Sequence, residues 1–322
     1  MSNAILTVSD LNVWFETGSG RKQVLDRVSF SIGEGSAAGL VGESGCGKTM
    51  TALAILGLLP ASGVSIKSGA IEFNGRDISR LNVKQRREIL GRDIAMIFQQ
   101  PSTALDPVFT LGQQISAVYR RHSDAGKKQV RQVMLDALET VGFSQAEDIA
   151  ASYPHQLSGG MRQLAMIAMA TVCKPAVLIA DEPTTALDSI TRALILQQLK
   201  RLQTQNRTAI LLISHDLTVI GASCQDVMVM YCGRIVEKTD CTGLFSHPRH
   251  PYSAGLLSCI PKIGTGRPTG VTAIPGQLPA ATELPPGCHF APRCSRAESV
   301  CRQTVPTFDS DDNGSVACFR PL

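Results

Sequence analysis

The chain has 322 residues, 43% hydrophobic and 18% charged, with a formal net charge of +4. These are globular proportions, enough for one large domain and a small one, and the mild charge neither demands nor excludes an anionic partner. No run of eighteen or more apolar residues appears, which excludes a helix crossing a bilayer, and Met1 to Asp10 lacks the basic start and apolar stretch of a secretory signal. A cytoplasmic location follows as an expectation, with any membrane role coming through a partner.

In chain order, residues 6–15 and later 71–73 are predicted as strands of a small antiparallel sheet. Residues 36–41 (SAAGLV) form a short buried strand leading into a glycine loop, and residues 49–59 (TMTALAILGLL) an apolar helix. Residues 107–153 have a helical pattern with no convincing strand, so an inserted helical subdomain is expected over about 107–156. Residues 161–172 are helical again. Residues 176–180 (AVLIA) and 209–213 (AILLI) are continuous apolar runs of the kind found in buried parallel strands. Strands alternating with helices predict an α/β fold with a sheet covered on both faces. Near residue 247 prolines become frequent (Pro248, Pro251, Pro261, Pro268, Pro275 and beyond), which rules out a long helix or central strand there. The expected division is 1–246 as a nucleotide-binding domain and 247–322 as a loop-rich extension.

Three segments carry chemistry. Gly42-Glu43-Ser44-Gly45-Cys46-Gly47-Lys48-Thr49 matches G-x-x-x-x-G-K-[ST] between a strand and a helix. Glycines let backbone N–H groups turn inward around phosphates, the helix start adds positive potential, Lys48 supplies a point charge and Thr49 a hydroxyl for Mg²⁺. Residues 177–182 (VLIADE) end a buried strand in Asp181, suited to orient Mg²⁺, and Glu182, suited to polarise an attacking water. Ser158, Gly159 and Gly160, within LSGGMRQ, stand before a helical pattern and make a second helix start able to meet an anion.

In order and spacing these segments resemble the ABC ATPase family, whose signature sequence LSGGMRQ matches. The resemblance covers residues 5–246 and assigns further positions: Gln99 in IFQQP as the Q-loop glutamine, Asp188 in Ala186-Leu187-Asp188 as the D-loop aspartate, and His215 in Ile213-Ser214-His215-Asp216 as the switch histidine. Phe15, next to Trp14, falls where the family has an aromatic residue stacking on adenine. The resemblance implies a RecA-like P-loop ATPase core with an antiparallel β subdomain and a helical insertion. It also implies ATP and Mg²⁺ as ligands, and Glu182, His215 and Gln99 as the catalytic set, with Gln99 also sensing Mg²⁺. In this family the signature completes the ATP site of a facing subunit, so two nucleotide domains close head to tail around two ATP molecules.

Ten cysteines are present. Cys46, Cys173, Cys224, Cys232, Cys241 and Cys259 are expected as small buried hydrophobes. Cys288, Cys294, Cys301 and Cys318 crowd the proline-rich end with spacing C-x5-C-x6-C-x16-C, unlike common zinc sites; four thiolates there suit a Zn²⁺ or Fe–S centre. His247-Pro248-Arg249-His250-Pro251-Tyr252 and Pro286-Gly287-Cys288-His289-Phe290 through Arg293-Cys294 resemble the C-terminal extension of oligopeptide, dipeptide and nickel importer ATPases. That resemblance implies a [4Fe–4S] cluster on the four cysteines, with Zn²⁺ or bare thiols as alternatives. It leaves His289 as a turn residue, and His247, His250 and Tyr252 as the turn that launches the extension. The extension is expected to pack on a partner nucleotide subunit. The implied role is a peptide importer's ATPase at the cytoplasmic face of the membrane. Its implied partners are a second ATPase subunit (a distinct homologue), two transmembrane permease subunits and an extracytoplasmic binding protein, with a nickel or metal chelate as alternative cargo. A soluble ABC ATPase of translation or DNA repair fits less well: there is one phosphate loop, no long coiled-coil insertion, and no basic tail for nucleic acid. Intact catalytic positions speak against a vestigial ATPase.

Overall fold

The computed structural model describes residues 4–17, 20–60, 63–260, 273–280, 283–311 and 314–322. The chain divides into two compact units: one of Met1–Ile5, Ile32–Ser36 and Arg80–Leu211, the other of Leu6–Ser31, Ala37–Ser79 and Leu212–Leu322. Among the described residues no helix is long and apolar enough to cross a membrane.

The second unit contains a four-stranded sheet ordered Gly20–Gly33, Ala4–Thr17, Val64–Phe73, Arg76–Asp77. Ala4–Thr17 runs antiparallel to Val64–Phe73 with its register broken between Ser9 and Asn12, where Asp10 takes a φ of 45°. The extra residue explains the core pattern: Leu6 and Val8 are buried before the break, Leu11 and Val13 after it, so the inward parity switches from even to odd. The strand expected over 6–15 is present within Ala4–Thr17, while Gly20–Gly33 is a strand that the sequence does not announce, because its apolar side chains (Leu25, Val28, Phe30, Ile32) are diluted by charge. Of Val64–Phe73 only the end is expected, because Ser65, Lys67 and Ser68 disguise the strand.

In the same unit Ala37–Val41, buried at every position, pairs in parallel with Asp226–Tyr231. That strand turns through Cys232-Gly233 (φ 44° and 76°) into antiparallel Arg234–Asp240, as a two-residue hairpin of the primed kind requires. The extension then returns to this sheet: Gly314–Val316 pairs with Arg234–Asp240, and Asp309–Asp311 with Gly314–Val316. It starts with Glu237, 1% exposed, whose two carboxylate oxygens accept the backbone N–H groups of Arg249 and His250, each at 2.8 Å. His250 caps the helix Pro251–Ser258 by accepting the Tyr252 N–H at its Nδ1 (3.0 Å), with proline at the first turn where its missing N–H costs nothing. His247 and His250 thus precede this helix, but Tyr252, expected in the turn, lies in the helix's first turn because Pro251 starts the helix at once.

The first unit holds Ile94–Ile97 paired in parallel with Val177–Asp181, and helices Leu111–Arg121, Lys127–Thr140, Ala146–Ala151 and Gly159–Thr171. Residues 107–153 hold helices joined by turns and loops and contain no strand. A capping box opens Leu111–Arg121: Thr110 Oγ1 accepts the Gln113 N–H (3.4 Å) and Gln113 Oε1 accepts the Thr110 N–H (2.8 Å). Strand Ala209–Ser214 carries the chain from the first unit into the second.

Two expectations need correction. The helix expected over 49–59 is Lys48–Leu56, because Gly57 (φ 63°) closes it with its N–H on Ala54 and that of Leu58 on Leu53. Of the six scattered cysteines Cys46, Cys224 and Cys241 are buried, but Cys173, Cys232 and Cys259 are only half-buried, since they occupy turns and helix ends at the surface.

Candidate active site

The phosphate loop leaves the buried strand Ala37–Val41 and enters the helix Lys48–Leu56. Gly42 (φ 156°) and Gly47 (φ 115°) are fixed by crowding as much as by conformation. A Cβ on Gly42 would lie 2.2 Å from the Met230 carbonyl oxygen, and one on Gly47 3.0 Å from Leu25 Cδ2. The loop is braced from behind by the Cys232-Gly233 turn, whose Gly233 N–H donates to Cys46 O at 2.7 Å. Lys48, 6% exposed, donates from Nζ to the loop carbonyls of Gly42 (2.7 Å) and Glu43 (3.1 Å). Ser44, Gly45 and Thr49 form the exposed rim. The helix start has no side-chain cap, so its first N–H groups suit an anion. A buried cation held by carbonyls, glycines that admit no side chain and an uncapped helix start fit a polyphosphate and its Mg²⁺.

The same unit carries Phe15, half-buried and opposite Val64, and His215, exposed just past Ala209–Ser214. After His215, Asp216 caps the helix Leu217–Ser223 by accepting the Thr218 N–H at 2.9 Å, which fixes where the strand stops.

The first unit gathers the acidic residues. Ile97 stands opposite Ala180, so Gln99 and the pair Asp181-Glu182 lie at the carboxyl ends of two adjacent parallel strands, the edge where such sheets take ligands. Asp181 is 1% exposed. Glu182, 9% exposed and with a φ of 50°, accepts the Thr185 hydroxyl at Oε2 (2.6 Å). Burial in a left-handed backbone position holds its carboxylate in one place. Ser158 caps Gly159–Thr171 by accepting the Met161 N–H at 3.3 Å, and Ser158 and Gly159 are exposed. A Cβ on Gly160 would lie 2.8 Å from Thr191 Cγ2. Asp188 caps Ser189–Asn206, accepting from the Ile190 and Thr191 N–H groups and, at 2.7 Å, the Thr191 hydroxyl; these bonds hold its carboxyl below the usual range.

Cys288, Cys294, Cys301 and Cys318 all line one narrow cavity of the extension. Their side chains are not arranged as ligands: among the described residues no group of three or more His, Cys, Asp or Glu is placed to hold a metal ion. The expected ligating geometry is thus absent. Burial pushes the Cys288 thiol up to about 11 and raises Cys294 and Cys318. His289 lies in a turn. Tyr252 and Arg293, expected only as parts of the extension, reach Glu43 of the phosphate loop; an acidic residue inside an anion-binding loop is the signal in the sequence, but nothing local names its counter-charge.

Residues 25–185 match the family model for "ABC transporter", and residues 236–301 the one for "Oligopeptide/dipeptide transporter, C-terminal region". The chain is 44% identical over 318 residues to the oligopeptide transport ATP-binding protein AppD of Bacillus subtilis (98% of this chain, 97% of the relative). It is 40% identical over 320 residues to the dipeptide transport ATP-binding protein DppD of Escherichia coli (99% and 97%). Among solved structures, the dimeric ATP-binding cassette MJ0796 bound to ADP and Pi is similar with a TM-score of 0.66 and 25% identity, over 73% of this chain and 98% of that one. With the phosphate loop, acidic strand end and capped signature helix in place, the chain belongs to the ABC transporter ATP-binding proteins, and it is an ATPase subunit of the oligopeptide and dipeptide transport branch.

Proposed function

We propose that this subunit energises uptake of di- and oligopeptides through the cytoplasmic membrane, working at its cytoplasmic face. The observation that carries the reading is similarity along essentially the whole chain, extension included, to proteins named for oligopeptide and dipeptide transport. Its partners in this reading are two transmembrane permease subunits, an extracytoplasmic binding protein and a second ATPase subunit that is a distinct homologue. The nucleotide-binding domain is taken as 1–246 and the extension as 247–322, supported by the separate family matches to 25–185 and 236–301.

In this reading residues 42–49 cradle the phosphates, Lys48 neutralises the β- and γ-phosphate oxygens, and Phe15 stacks on adenine. Thr49, Asp181 and Gln99 would hold Mg²⁺, which would offset charge on the phosphate oxygens. Glu182 takes the proton of the attacking water, a role supported by its buried, hydroxyl-braced carboxylate. His215 contacts the γ-phosphate, and Gln99 reports the site's state to the helical insertion. Ser158, Gly159, Gly160 and Asp188 serve the ATP of the facing subunit, which is supported by the exposure of Ser158, Gly159 and Asp188. Reconstitution with the permease pair and a peptide-loaded binding protein tests this: peptide should stimulate ATP turnover. Stimulation by a nickel chelate and not by peptide would overturn the cargo assignment.

The four cysteines are proposed to hold a [4Fe–4S] cluster with a structural or regulatory role, Zn²⁺ being the alternative. The presence of all four cysteines in the lining of one cavity supports this. Iron, sulfide and zinc analysis of anaerobically purified protein decides it; absence of all three would remove the proposal.

A further inference from the structure

Glu43 is the second residue of the phosphate loop, so the loop that takes up a polyanion carries a carboxylate of its own. Left unpaired, that charge would oppose nucleotide binding. Arg293, its side chain 5% exposed, donates from Nη1 to both carboxylate oxygens of Glu43, at 2.9 and 3.1 Å. The guanidinium is itself held, with Nε donating to Pro275 O at 2.8 Å and Nη1 reaching the Tyr231 hydroxyl at 3.4 Å. The Glu43 backbone N–H donates to the hydroxyl of Tyr252, which is fully buried, at 2.9 Å, and the Glu43 carbonyl accepts from Lys48. Every polar handle of residue 43 is therefore taken, two of them by residues from the far end of the same chain, 250 and 209 positions away.

Tyr252 and Arg293 are not isolated in doing this. Tyr231, Tyr252 and Phe290 pack edge-on or tilted with ring centroids 4.7–5.3 Å apart, a dry wedge behind the loop. We propose that Arg293 and Tyr252 are positioning residues of the ATP site: the extension cancels the charge of its own chain's Glu43 and fixes the phosphate loop in its nucleotide-accepting shape. The proposal rests on the ATPase assignment and goes beyond it, because it makes residues outside every phosphate-binding motif determinants of nucleotide affinity. It also gives the extension a duty within its own chain, beside any duty toward a partner.

The test is the Kd of the full-length chain for a non-hydrolysable ATP analogue with Mg²⁺, in wild type, Arg293→Gln, Arg293→Lys, Glu43→Gln and the Arg293→Gln/Glu43→Gln pair, with Tm measured alongside. Arg293→Gln should weaken binding on the order of ten-fold by exposing the phosphates to an unpaired carboxylate, and Arg293→Lys should recover part of the loss. In the Glu43→Gln background Arg293→Gln should change Kd no further, which a merely structural role for Arg293 would not produce. Tyr252→Phe keeps the ring and removes only the acceptor for the Glu43 N–H; it should weaken binding a few-fold with little change in Tm, and it remains decisive if Arg293→Gln does not fold. Wild type that takes up no nucleotide would overturn the ATPase assignment and this proposal with it. Wild type that binds, with Arg293→Gln or Tyr252→Phe binding equally well, would overturn this proposal alone.

Discussion

The helix Lys48–Leu56 starts without a side-chain cap beneath a loop whose lysine is buried, whereas Gly159–Thr171 starts from the Ser158 hydroxyl with Ser158 and Gly159 exposed. The first follows glycines and the second begins with them, and both present backbone N–H groups, but only the first is braced from behind by its own unit. There the Cys232-Gly233 turn, the Met230 carbonyl, Arg293 and Tyr252 surround the loop. The contrast teaches that the phosphate loop is braced from within its own unit, whereas the second helix start is left as an open edge whose first N–H groups face outward.

The largest effect should come from the enclosed site. Lys48→Ala removes the buried charge, and nucleotide binding and turnover should both fall, turnover by on the order of 100-fold or more; equilibrium binding and phosphate release measure the two. Binding at the wild-type level would mean the cradle works without its cation. Next, Glu182→Gln should lower turnover by about 10²–10³-fold while leaving nucleotide affinity close to wild type; near-normal turnover would remove Glu182 as the base. At the open edge, Gly160→Val pushes a branched side chain against Thr191. Turnover of the assembled ATPase pair should drop while the isolated chain still binds nucleotide. A loss of binding in the isolated chain would erase the distinction between the two sites.

The smallest effect concerns the support under the enclosed site. Burial pushes His250 down to about 4, so the folded protein keeps it neutral while the unfolded chain protonates near 6.5. Between those values the unfolded state binds the extra proton. Stability is thus full above about pH 6.5 and falls by about 1.4 kcal/mol per pH unit as the pH drops toward 4. His250→Asn keeps a capping acceptor and removes the titration, so its melting temperature should decline less over this window. Parallel curves for the two proteins would show that other groups govern the acid limb.

The sequence was informative where chemistry imposes a local pattern. Residues 42–49 and 177–182 needed no partner to be recognised, because a phosphate loop and a buried strand ending in carboxylates are continuous in the chain. Buried strands such as Ala37–Val41 and Ala209–Ser214 were legible because both faces are covered and, Ser214 apart, every residue is apolar or glycine. Gly20–Gly33 was not, since one face is wet and its alternation is interrupted by charge. The bulge near Asp10 was hidden for another reason: parity switches only when a second strand defines inside and outside. The least legible feature was the Glu43–Arg293 pair, where each residue taken alone is an ordinary charged side chain.

Glu237 bears on how the protein can be dissected. Its buried carboxylate receives the chain just where the proline-rich region begins. A fragment stopped at residue 246 would lose both backbone donors and strand that anion in a dry pocket, and would also uncover Tyr231. A truncated cassette is therefore not a minimal engine with an accessory removed; weak activity in such a fragment would report a damaged foundation and say nothing about whether the missing segment regulates transport.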